Sequence, residues 1–380
     1  MKLIIETRSI VILLFSALII ISTISGCHRD DPDPDPEVVI PRTLWLCPMP
    51  FDQEINPAVN PEQYIVSDYV PTMTDPDSYY PEVFKSTKVL KLYIVTLMFI
   101  GDEDLKKLVD FANDNDLEIA VEIGGIRMMV GHVSNDQIGE KSAEYEFGFL
   151  NRILEAGGEV NYITTDHSMA HYLTGRNHDL DDMSHEEIIE QMMIYFTYMQ
   201  ERMTGLKVGA IESLGFFWVL GDRQYYATDA SLSRLDFETY FDMYLSVAEQ
   251  NGVVLDHFHI DFGMHDVEYD NGYGRILAVE DYVMSNGVHS GFIATNAFHL
   301  GTNLAHSDDP EAAAASSATR TVRYFDNYIK AGGKSDYFVF QRWHPYPLTM
   351  GSYDEPFTQM GIFHSVLTSS WFPEDSKDSI

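Results

Sequence analysis

Four carboxylates stand near the C-terminal ends of predicted strands: Glu122, Asp166, Glu212 and Asp261. Two such groups facing a gap of roughly 5–10 Å can cleave a glycosidic bond, one protonating the leaving oxygen and the other attacking carbon or activating water. Asp166, Glu212 and Asp261 are the catalytic candidates. Asp166 is expected as nucleophile or base, and Asp261 or Glu212 as general acid. Glu122, His167, His265, Asn296, Arg342, Trp343 and His344 lie at or just past the same strand ends and are expected to bind substrate. Phe216, Phe217 and Trp218 also follow a strand end; such aromatics suit sugar faces, although each alone is more often core than platform, because aromatics dominate cores.

Residues 255–266 read LDHFHIDFGMHD. Side chains alternate across a strand, so His257, His259 and Asp261 share one face and Phe258, Ile260 and Phe262 the other. The bland account makes the two histidines hydrogen-bonded core residues and Asp261 a loop cap. The sharper one places Asp261 at a site.

The same residues admit a metal reading. Glu122, Asp166, His167, Glu212, Asp261 and His265 could supply mixed nitrogen and oxygen ligands. No HxH or HExxH pair sits at a strand end, and His257 and His259 lie deeper than the rim. No metal or organic cofactor is therefore expected in catalysis. Residues 266–272 (DVEYDNG) match a calcium loop only crudely, with the glycine one place late, so a structural calcium is the one ion left open. Lys91 alternates with Leu90 and Leu92 and is expected to pair with Glu118 or Glu122. Its rival role is a lowered-pKa base in a sugar lyase. No G-x-S-x-G elbow is present.

Eight strand-then-helix units must carry these groups. They begin near Leu44, Val89, Leu117, Val160, Lys207, Leu255, His289 and Asp336. The second strand is predicted over 89–100, and helices over 102–115, 142–156, 184–203, 236–250, 274–285, 310–331 and 355–369. Alternating strands and helices imply a parallel sheet, and eight units imply a closed α/β architecture, a single (β/α)8 or TIM barrel with its site at the strand C-termini. An open doubly wound sheet is the runner-up, but no Gly-rich dinucleotide loop follows any strand. The barrel is assigned to residues 42–372 as one domain, followed by a tail, 373–380.

The 380 residues carry a formal net charge of −35, which disfavours a nucleic-acid partner. Lys2 and Arg8 flank an apolar run over 10–21, followed by Ile24-Ser25-Gly26-Cys27. This layout resembles a bacterial lipoprotein signal, which implies cleavage after residue 26 and lipidation of Cys27. Residues 27–41, with alternating Asp and Pro, cannot pack a core and read as a disordered tether. The resemblance implies a lipid-anchored protein of the cell envelope, on the outer membrane and facing the periplasm or the exterior. Cys47 is then the only cysteine left, so the mature chain has no internal disulfide.

The barrel layout, the lipoprotein leader and the strand FVFQRWHPYP with Trp343 and His344 resemble secreted barrel glycoside hydrolases of bacterial polysaccharide utilisation. Asp166 on strand 4 with Asp261 on strand 6 is similar to the α-galactosidase-like group, which implies nucleophile and acid/base roles in that order. Strand 4 lacks an Asn-Glu pair and strand 7 ends in Asn296, unlike the largest barrel glycosidase clan; the DxxDxDxE run of chitinases is also missing. The resemblance implies cleavage of an extracellular poly- or oligosaccharide. A glycan-binding lipoprotein without catalysis, and a lyase or metal-dependent sugar enzyme on the same barrel, are the alternatives.

Overall fold

The computed structural model describes residues 43–52, 57–60, 64–75, 87–167, 169–221, 234–262, 267, 272–294, 310–342, 347 and 349–368. Eight parallel strands close into a barrel in chain order. They are β1 (Thr43–Cys47), β2 (Thr87–Tyr93), β3 (Glu118–Ile123), β4 (Tyr162–Asp166), β5 (Lys207–Ser213), β6 (Leu255–Asp261), β7 (His289–Ala294) and β8 (Tyr337–Gln341). β8 pairs with β1, which closes the ring and leaves no strand edge exposed. The expected (β/α)8 barrel is the observed fold.

Strand alternation sorts the side chains. Leu90, Leu92, Ile119, Val121, Val208, Ala210, Phe258 and Ile260 point outward into the shell between sheet and helices. Trp45, Val89, Ala120, Tyr162, Ile211, Ile293, Tyr337 and Val339 form a separate cluster inside. Trp45 is the centre of that interior, with ring centroids 4.8 Å from Tyr162, 5.2 Å from Tyr337 and 4.7 Å from His259. His257 lies in the same layer, with Nε2 2.9 Å from Thr164 Oγ1 and Nδ1 3.2 Å from Asp256. His257 is thus a satisfied core histidine, deep below the rim.

Ten helices accompany the strands among the described residues: α1 (Tyr69–Thr74), α2 (Ile94–Phe99), α3 (Asp102–Asp114), α4 (Ile138–Glu155), α5 (Ala170–Leu173), α6 (His185–Arg202), α7 (Phe237–Gln250), α8 (Gly272–Ser285), α9 (Pro310–Lys330) and α10 (Gln359–Leu367). Ser184 caps α6 as its sequence suggests. Its hydroxyl accepts from the Glu187 amide at 3.2 Å, and the Glu187 carboxylate accepts from the Ser184 amide at 2.7 Å.

One element departs from expectation. The apolar run 89–100 does not stay extended; β2 ends at Tyr93 and the chain turns into α2. An apolar run carries no period to separate strand from buried helix. Here a side chain from another element decides it: Arg152 of α4 donates to the carbonyls of Leu97 and Ile100, fixing the end of the turn.

Candidate active site

β4 and β6 deliver the central feature. Asp166 ends β4 and Asp261 ends β6, both on the inward parity of their strands. His167 lies between them. Its Nδ1 is 3.0 Å from Asp166 Oδ1 and its Nε2 is 3.1 Å from Asp261 Oδ2. All three side chains keep a little access to solvent: 10% for Asp166, 16% for His167 and 15% for Asp261. The His167 backbone has φ 46°, a left-handed conformation that costs a non-glycine residue free energy. Its amide donates to the Ile211 carbonyl at 2.9 Å, so β5 holds this turn in place.

The electrostatics follow from that sandwich. Burial alone would lower the His167 pKa, but the Asp166 charge and the contact with Asp261 outweigh it and raise the imidazole to about 9. Burial works against the Asp166 charge, yet the charges of His167 and Arg127 hold its carboxyl below the usual range. Arg127 Nη2 donates to Asp166 Oδ2 at 3.1 Å. Arg127 comes from the 3-10 turn Gly125–Met128 that follows β3, and it is partly exposed.

Glu122 lies on the inward face of β3 and is buried. Lys91 Nζ sits 2.6 Å from its Oε2, the partner expected from strand alternation. Gln341 completes a triangle: its Oε1 accepts from Lys91 at 2.6 Å and its Nε2 donates to Glu122 at 2.8 Å. Burial raises the Glu122 pKa while Lys91 opposes the rise. Glu122 is therefore committed to an internal ion pair that closes the barrel beneath the mouth.

Two expected site residues point elsewhere. Glu212 has the parity of Val208 and Ala210, which face the helices, so its side chain leaves the barrel outward. There Oε1 accepts from the Met169 amide and Oε2 from the Ala170 amide, each at 3.2 Å, and the Tyr240 hydroxyl donates to Oε1 at 3.4 Å. Burial pushes its pKa up to about 7 against the pull of His167 and those amides. Glu212 holds the turn after β4 rather than facing a substrate. Arg342 likewise follows Gln341 by one residue and is buried, with Nη1 donating to Ser317 of α9 at 2.7 Å. Phe217 is core, stacked on Tyr240 at 4.7 Å, and the Trp218 ring is covered by the Arg234 guanidinium at 4.0 Å.

Sequence reasoning missed Arg127, His171 and Glu146, and gave Gln341, at the end of strand 8, no role of its own. Glu146 of α4 accepts from the amides of Gly124 and Gly125 at 2.8 and 3.1 Å, and Tyr195 donates to it at 2.7 Å. It fixes the turn that carries Arg127. The His171 ring stacks 6.2 Å from His167 at 18°, and lies 5.0 Å from Phe216. Burial and the His167 charge lower the His171 pKa to about 4, so it is neutral. His265, Asn296, Trp343 and His344 lie outside the described residues, as do Cys27, the 27–41 tether, most of the 266–272 loop and the 373–380 tail. Among the described residues, no three His, Cys, Asp or Glu side chains are grouped to hold a metal ion.

No protein-family model matches the chain, and no curated protein is similar to it. Solved structures of several chemistries resemble it at low identity. The catalytic domain of beta-amylase from Paenibacillus polymyxa is 8% identical with a TM-score of 0.48, covering 88% of this chain and 100% of that one. A GH5_18 protein from Streptomyces cattleya in complex with GlcNAc is 10% identical with a TM-score of 0.46, covering 80% of this chain and 70% of that one. D-psicose 3-epimerase from Clostridium cellulolyticum H10 is 11% identical with a TM-score of 0.38, covering 88% and 94%.

Proposed function

We propose that this chain hydrolyses glycosidic bonds of an extracellular poly- or oligosaccharide, working from the cell envelope through a lipid on Cys27. The observation that supports the reading is the pairing of Asp166 with Asp261 at the C-terminal end of the barrel, one imidazole apart. Two carboxylates brought together at the mouth of a barrel are the groups that cleavage of a glycosidic bond needs. Asp166, held ionised by Arg127 and His167, is suited to attack carbon or activate water. Asp261 stands on the other side of the imidazole, where a leaving group would depart. Glu212 has no part in the reaction, because its oxygens serve two backbone amides.

The test is product formation. Membrane fractions carrying the full chain are incubated with a panel of neutral and acidic polysaccharides, and released sugars are followed by chromatography. Asp166→Asn and Asp261→Asn are each expected to lower turnover by roughly 10²–10⁴-fold. Cys27→Ala is expected to move the activity to the soluble fraction. Full turnover in Asp166→Asn would reject the assignment, and tight binding without product would favour the glycan-binding alternative.

A further inference from the structure

Two arginines of this chain use their N–H donors differently. Arg152 spends all three nitrogens on structure: Nε and Nη2 donate to Asp102, Nη1 to the Leu97 carbonyl and Nη2 also to the Ile100 carbonyl. Arg127 spends one. Its Nη2 donates to Asp166 Oδ2 at 3.1 Å, while Nε and Nη1 make no hydrogen bond among the described residues. The Arg127 side chain is 38% exposed, against 22% for Arg152. A guanidinium that serves only to neutralise a carboxylate gains most by turning both arms of its fork to it. Arg127 turns one arm to Asp166 and keeps the rest for solvent.

Arg127 is also held in place. Glu146 accepts from the amides of Gly124 and Gly125, and the Ser142 hydroxyl donates to the Ile126 carbonyl at 3.0 Å. The turn that carries the guanidinium is thus fixed at three points, just past the C-terminal end of β3. A second exposed arginine, Arg176, follows α5, with its guanidinium 4.9 Å from the centre of the Phe216 ring. Phe216 lies 5.0 Å from His171, and the charges of both arginines reach His171. Two cations therefore flank the Asp166 side of the mouth, in a chain with 24 basic residues against 59 acidic ones.

Resting on the glycosidase reading above, we propose that Arg127, assisted by Arg176, binds an anionic group of the substrate, so that the polysaccharide is an acidic one bearing a carboxylate or a sulfate ester near the scissile bond. A guanidinium fork suits the paired oxygens of either group. The net charge of −35 opposes an anionic polymer at long range. Physiological salt screens that repulsion beyond about 8 Å, whereas the contact at Arg127 is made at hydrogen-bond distance.

The test sets each of several uronate-bearing polysaccharides beside its carboxyl-reduced form, and each of several sulfated ones beside its desulfated form. The readout, with the full chain, is the ratio of kcat/KM within a pair. The wild type is expected to favour the anionic member by roughly 10–100-fold, the worth of a hydrogen-bonded charge, and the pair that shows it tells carboxylate from sulfate. Arg127→Gln should bring the ratio close to one; losing the contact with Asp166 slows both members alike and cancels. Arg127→Lys keeps the charge without the fork and should fall between. Arg202→Gln, at the C-terminal end of α6 and so at the opposite end of the barrel, removes the same charge and should leave the ratio unchanged. A wild type that prefers the neutral member, or a ratio that Arg127→Gln does not move, overturns the inference and leaves the glycosidase reading standing. Should Arg127→Gln fail to fold, the exposed Arg176 decides: Arg176→Gln lowering the ratio about two- to fivefold supports the inference, and an unchanged ratio overturns it. A wild type that cleaves no member of the panel overturns the glycosidase reading instead. Retardation in gels containing the same polysaccharides then reads the contact alone: slowing by an anionic member that Arg127→Gln abolishes supports it, and no slowing overturns it.

Discussion

A methyl group on Gly291 would lie 2.2 Å from Cδ2 of His259 on the neighbouring strand. Gly209 stands in the same relation to His257, at 2.3 Å from its Cδ2. The register pairs Gly209 with His257 and Gly291 with His259, so each imidazole in the barrel interior faces a position without a side chain. His259, His257 and Trp45 fill the space that two more side chains would need.

Gly291→Ala and Gly209→Ala are therefore expected to destabilise the barrel by about 1–3 kcal/mol each, the usual cost of overpacking a rigid core. Gly148 in α4 has open space around its Cα, so Gly148→Ala should be neutral or stabilising by up to about 1 kcal/mol. Urea unfolding of the three variants measures the contrast. Equal effects at all three positions would show that the interior yields easily.

The ion pair below the mouth gives a second expectation. Lys91 and Glu122 are both buried, and Gln341 bonds to each. Lys91→Met strands a buried carboxylate and should cost about 3–5 kcal/mol at neutral pH, whereas Lys91→Met with Glu122→Gln should cost much less, because removing both charges removes the unpaired one. A double-mutant cycle on unfolding free energy reads the difference. Additive losses would mean that the two side chains do not depend on one another.

The barrel was legible because each strand announces itself by parity. In LDHFHID the inward His257, His259 and Asp261 alternate with the outward Phe258 and Ile260, and EIAVEI places Glu122 beside Lys91 on the same side of the sheet. Parity also explains the two misplacements. In KVGAIES, Glu212 is even with Val208 and Ala210, so it belongs to the helix side, and in YFVFQ the inward residue is Gln341 rather than Arg342. Counting strand ends without counting faces put both in the mouth. Glu146 left a trace as well: it interrupts the apolar stripe Ala143, Leu150 and Ile153 on the buried face of α4. Arg127 left none, since its position depends on a 3-10 turn held by a helix residue from another part of the chain. The (β/α)8 topology is local pattern repeated; the site is made by turns, and turns are set by distant partners.

Stability should decline as pH rises from mildly acidic to mildly alkaline. Glu146 and Glu212, which clamp the turns after β3 and β4, both have carboxyl pKa values raised by burial from 4.5 to about 7. The folded chain therefore holds these protons more tightly than the unfolded chain. Their contribution is fully present below pH 4.5 and is lost as pH rises through about 7, on the order of 3 kcal/mol per carboxylate. His167 acts in the same direction: its pKa rises from 6.5 to about 9, so its stabilisation is complete below 6.5 and lost through 9. Asp166 acts oppositely, but only below its unfolded value of 3.8, where acid would begin to remove its contribution. The melting temperature is expected to fall between pH 5 and 9, with the carboxylate part confined to the lower half. Glu146→Gln and Glu212→Gln should each flatten the slope between pH 5 and 7, and His167→Gln the slope between 7 and 9. Thermal melts at constant ionic strength decide the matter; a melting temperature that climbs over this range would show that the two turn-clamping glutamates are ionised throughout.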